Sequence, residues 1–117
     1  MTKSQFLKEN IIFEWDEHFH ASGRGDYETA WSHLERAHIL AQKMPLLHTF
    51  SHFKMLGLAF RQRDVGEILG QLHRLILAAP ASWLGLLPFG NVGSSRVSPF
   101  LKMDIPKDLQ AILDKVE

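Results

Sequence analysis

Apolar residues recur at helical spacing along the first 80 positions of the chain. Leu7, Ile11, Trp15 and Phe19 return every fourth residue, with Ile12 beside them, and predict a first helix from about Ser4 to Ser22. Gly23 is placed to end it in a left-handed cap, and Gly23 to Asp26 read as a tight turn. Asp26 suits the N-cap of a second helix whose face is Tyr27, Ala30, Trp31, Leu34, Ala37, Leu40 and Ala41. Pro45 stops that helix, and a third begins near Leu46 or Leu47 with Phe50, Phe53, Leu56, Gly57 and Phe60 as its expected buried stripe. Asp64, with Glu67 three residues on as a capping box, opens a fourth. Its expected core positions are Ile68, Leu69, Leu72, Leu75 and Ile76, and Pro80 closes it.

Beyond Pro80 the texture changes. Residues 81–104 carry Trp83, Leu84, Leu86, Leu87 and Phe89, then Gly90, Gly93 and Arg96, and are too apolar for a disordered linker. They are expected to fold as a covering loop across an open face of the bundle. If that segment instead stands free, Trp83 to Phe89 form a patch suited to a protein partner or a second copy of the chain. Pro106 fits the start of a terminal helix to Lys115, with Leu109, Ile112 and Leu113 inward. Short connections favour antiparallel neighbours. The expectation is therefore one all-α domain over residues 1–117. It comprises two antiparallel helical hairpins (1–80), the covering loop (81–104) and a short C-terminal helix (105–117). Asp26 and Asp64 open similar helices after similar turns, and Phe53-x-x-Leu56-Gly57-x-x-Phe60 resembles the first helix of a tetratricopeptide repeat.

Composition narrows the function classes. The formal net charge is +0, which leaves no electrostatic footprint for nucleic acid. The chain has no cysteine, which removes thiolate metal sites and disulfides and fits a reducing compartment. Met1 to Gln5 lack the apolar run of a signal peptide, and Leu75 to Phe89 are too short and too proline-broken to span a membrane. A cytoplasmic protein is expected.

Histidine changes the picture most. Six of the seven fall between His18 and His52. His48 and His52 stand one helical turn apart, and Glu35 and His38 share a face of the preceding helix, so four donors could meet across a tight hairpin. Such a set suits a divalent transition metal: zinc, copper, nickel or iron. The structural alternative makes His38 a core histidine bonded to a carbonyl and His48 a group serving a helix start. Glu17-x-x-His20 with Glu35-x-x-His38 suggests a di-iron bundle less well, because the third helix offers no glutamate. The Gly90 to Arg96 stretch could cradle an anion, but a plain glycine turn explains it more simply.

A set of ordered motifs adds a resemblance. His33-Leu34-Glu35-Arg36-Ala37-His38, His48-x-x-x-His52, Gly70-Gln71-Leu72-x-Arg74-Leu75, Pro88-x-Gly90-Asn91-x-Gly93 and Ile105-Pro106-x-Asp108-Leu109 together resemble an uncharacterised bacterial family, domain of unknown function 3703. The likeness runs from about Glu14 onward. It implies no defined activity, though a link of some members to heavy-metal resistance raises the metal hypothesis. His33, Glu35, His38, His48 and His52 match the family pattern, whereas His18, His20 and His73 do not. The expected ligands are therefore Glu35, His38, His48 and His52, with His33 and Glu14 as supporting residues. The expected function is non-enzymatic metal binding in sensing, storage or resistance. A helical protein-interaction module with structural histidines is the alternative.

Overall fold

The computed structural model describes residues 1–78, 84, 93 and 103–116, with the side chains of 77 and 78 left aside. The fold is all-α, with no strand among the described residues. In chain order the helices are α1 (Lys3–Gly23), α2 (Tyr27–Ala41), α3 (Pro45–Gln62), α4 (Val65–His73) and α5 (Lys107–Asp114), with a π-helical turn, Arg74–Ala78, continuing α4. Each of the first three packs on the next, and α5 lies against α2. No helix among the described residues is long and apolar enough to cross a membrane.

Local chemistry sets the helix ends. Thr2 and Gln5 form a reciprocal capping box on α1. Asp26 accepts the Thr29 N–H at 3.2 Å, and Asp64 accepts the Glu67 N–H at 3.1 Å. The Asp64 cap is only half a box, because its own N–H is taken by the Ala59 carbonyl and Glu67 is buried. Pro45 occupies the first turn of α3, where its missing N–H costs nothing. α1 runs through Gly23, and the left-handed residue of that turn is Gly25, at φ 75°.

Two apolar clusters form the core. One joins Leu7 and Ile11 to Ala37, Leu40, Leu109 and Leu113, tying α1, α2 and α5 together. The other joins Ala21, Ala30, Trp31 and Leu34 to Met55, Leu58 and Ala59.

Three helices turn differently from the apolar pattern. On α1 a four-residue repeat drifts about 40° each time, so Phe19 stands about 120° round from Leu7. Phe19 and Ile12 are exposed, and the buried row is Leu7, Ile11, Glu14, Ala21 and Ser22. On α3 the expected Phe50, Phe53, Gly57 and Phe60 are exposed and Leu56 is half-buried. His48, Ser51, His52, Met55, Leu58 and Ala59 are buried on the opposite side. On α4 Leu69, Leu72 and Ile76 are exposed, Ile68 and Leu75 are half-buried, and Glu67, Gln71 and Arg74 are buried. In α3 and α4 the row that faces inward carries polar groups with partners there, and hydrophobicity alone does not reveal it.

The covering loop expected over 81–104 lies outside the described residues, apart from Leu84, Gly93 and residues 103–104. Trp83, Leu86, Leu87 and Phe89 lie outside them too, while Leu84 is exposed.

Leu34 is fully buried and Phe53 is 55% exposed. Leu34→Ala is therefore expected to cost about 2–5 kcal/mol, and Phe53→Ala less than about 1 kcal/mol. Equilibrium urea unfolding checks the contrast, and equal losses would refute the burial pattern of α3.

Candidate metal centre

The turn between α2 and α3 brings the histidines level. Counting from Lys43 at its middle, His38 lies five residues back and His48 five forward. In a tight antiparallel hairpin those positions face each other. His52 stands one turn farther along α3, toward α4. All three imidazoles are buried.

Their Nε2 atoms converge. His48 and His38 are 2.7 Å apart, His38 and His52 3.2 Å, and His52 and His48 3.2 Å. The ring planes are tilted by 52° to 75° to one another, so the rings meet by their edges. Those edges define a circle of radius about 1.8 Å, and an ion about 2.0–2.1 Å from each nitrogen would sit about 1 Å outside their plane. The three could thus hold one metal ion from one side.

Two residues orient the donors. Gln71 donates from Nε2 to the Gly93 carbonyl at 2.9 Å, which leaves Oε1 facing His52 Nδ1 at 2.8 Å. A carbonyl oxygen only accepts, so Nδ1 carries the proton and the neutral ring presents its Nε2 lone pair to the cluster. Gly93, at φ 85°, lays bare backbone on His38: a Cβ there would lie 2.6 Å from Cδ2 and 2.8 Å from Nε2. Only glycine fits both the left-handed backbone and that approach.

Burial also keeps His48 and His52 neutral. It pushes His48 down to about 3, with His52 adding repulsion, and it pushes His52 down to about 4. For His52 the bond to Gln71 opposes the fall, Arg74 deepens it, and Glu67 opposes it weakly. If His48 donates its Nε2 proton to His38, the lone pairs of His38 and His52 still face each other. A divalent cation relieves that clash and a hydrogen-bond pattern does not.

The other expected site residues lie elsewhere. Glu35 lines a surface cleft with Glu28, Trp31, Ser32 and Gln62 and is outside the imidazole group. His33 and Glu14 form a separate ionic node, with His33 Nδ1 at 2.7 Å from Glu14 Oε2. Arg36 Nε donates to Glu14 Oε1 at 2.9 Å and its guanidinium also pairs with Asp108. That node ties α1, α2 and α5 around a buried carboxylate. Among the described residues Glu17 joins no group of potential ligands, and His20 is exposed. Gln71 and Gly93 are not among the residues expected at the centre. The available signal was the polar row Glu67, Gln71, Arg74, which breaks the apolar face of α4 at intervals of four and three.

Among known proteins, a family described as protein of unknown function (DUF3703) matches over residues 6–113. No curated protein and no solved structure matches the chain.

Depressed histidine values fix the sign of a pH effect. Below the unfolded value of about 6.5 the unfolded chain binds protons that the folded His48 and His52 refuse, so stability falls as pH falls. The decline continues until pH reaches the folded values of about 3 and 4. At about pH 5.5 each ring costs about 1.4 kcal/mol. Metal-free protein is expected to lose nearly twice that from the pair between pH 7.5 and 5.5, and a His48→Gln/His52→Gln variant much less. Urea unfolding at both pH values measures it, and equal slopes would refute neutral burial.

Proposed function

The chain belongs to the DUF3703 family, and we propose that its function is to bind one divalent transition-metal ion through His38, His48 and His52. The observation that carries this is the meeting of three buried Nε2 atoms within 3.2 Å of one another. One of those lone pairs is aimed by Gln71. Three imidazoles with a further position left over suit zinc, copper, nickel or iron. Gln71 does for His52 what carboxylates and carbonyls do for metal-ligating histidines generally: it accepts a hydrogen bond from the second ring N–H and holds the tautomer. A non-enzymatic, cytoplasmic role in metal storage, sensing or resistance fits a chain without cysteine.

A second reading rests on a different observation. Val65, Leu69, Leu72 and Ile76 form an exposed apolar row on α4 and the π-helical turn, as a docking module for another protein would. Metal binding and docking are compatible, and the first has the more specific geometry.

Calorimetry of tag-free protein with zinc, copper and nickel salts tests the metal. One ion per chain is expected for the wild type and none for His48→Ala/His52→Ala. Gln71→Leu should weaken binding by about 10–100-fold, and Glu35→Gln should leave it unchanged. Silence in every wild-type titration would refute the proposal.

A further inference from the structure

We infer that the loaded centre keeps one coordination position for a small monodentate anion from solvent, such as azide, formate or hydroxide, an inference that rests on the metal-binding reading. Charge is the starting point. His38, His48 and His52 supply three neutral nitrogens in a buried place, so a divalent ion held by them keeps its full charge where water screens it least.

Among the described residues no carboxylate joins the imidazoles to supply the missing negative charge at the ion. Glu67 is buried and close enough to raise the pKa of His52, but Arg74, buried on the same row of α4, acts on His52 in the opposite sense. Arg74 also feels Glu67 directly, so a cation stands beside that carboxylate. From position 79 to 102 the sequence contains no Asp or Glu, so the stretch that carries Gly93 brings no carboxylate.

Geometry fits the same conclusion. An ion touching all three nitrogens from about 1 Å outside their plane has these donors on one side, and no other potential ligand among the described residues joins them. Beside His38 Nε2, Gly93 presents backbone alone, and a single added carbon would stand 2.8 Å from that nitrogen. Even that one carbon would clash, so the space beside this nitrogen is tight, which favours an anion of two or three heavy atoms over a bulky one.

The test uses cobalt(II)-loaded, full-length protein, its metal content measured after desalting, and azide as the probe. A visible-spectrum change that saturates at one azide per bound cobalt is expected, with the same response in Glu67→Gln and Glu35→Gln. Stoichiometric cobalt with a spectrum indifferent to azide would overturn the inference while leaving metal binding intact. So would a response that appears only in Glu67→Gln or Glu35→Gln, since a protein carboxylate would then hold the fourth position. Absence of cobalt after desalting, together with silence in the zinc, copper and nickel titrations, refutes metal binding itself and this inference with it.

Discussion

Three imidazoles directing Nε2 atoms at one another inside a helical hairpin require two things of the surrounding chain: water must be kept away, and the outer ring nitrogens must be held. The first is met by packing α3 on α2 and α4 on α3, with the polar rows of α3 and α4 buried. The second is met, for His52, by Gln71, whose own amide is locked by the Gly93 carbonyl. Much of what is unusual about the fold follows. α3 presents Phe53 and Phe60 to solvent because His48, Ser51 and His52 occupy its inward side. α4 does the same with Leu69 and Ile76, because Glu67, Gln71 and Arg74 point inward.

A second polar node sits at the other end of the logic. Glu14 is buried on α1 and receives His33 and Arg36 from α2, while Arg36 continues to Asp108 on α5. Buried carboxylates are tolerated when two donors satisfy them, and this one links the first, second and last helices around the Leu7–Ile11 cluster. Trp15 adds a smaller link, donating to Ser51 Oγ at 3.3 Å while Lys54 lies over its ring. These ties hold α1 and α3 near α2, which carries His38 on its last turn.

Helix positions and caps were legible because they depend on near neighbours. Asp26, Pro45 and Asp64 act at the boundaries where their local chemistry places them. The α2 face was legible too, since Ala30, Leu34, Ala37 and Leu40 meet apolar partners on both sides. Hydrophobicity misdirects where a polar row is the buried one, as on α3 and α4, because a partnered histidine or glutamine costs little inside and the pattern does not reveal the partner. The convergence of His38 with His48 and His52 was readable from the hairpin and from their spacing. Gln71 and Gly93 were not, since the second lies 22 residues beyond the first and they meet only through tertiary packing.

By itself the sequence determined that this chain is helical, where its helices begin and turn, and that α2 and α3 carry imidazoles at heights that can match. Those features depend on backbone propensity and on residues within a turn or two of each other. Tertiary structure alone decided which side of α3 and α4 faces inward, that Glu14 and His33 serve a separate ionic node, and that Glu35 stands apart. It also decided that a glycine from a distant segment closes on His38. Those outcomes depend on which long-range partners satisfy each buried polar group, and no local pattern encodes that pairing.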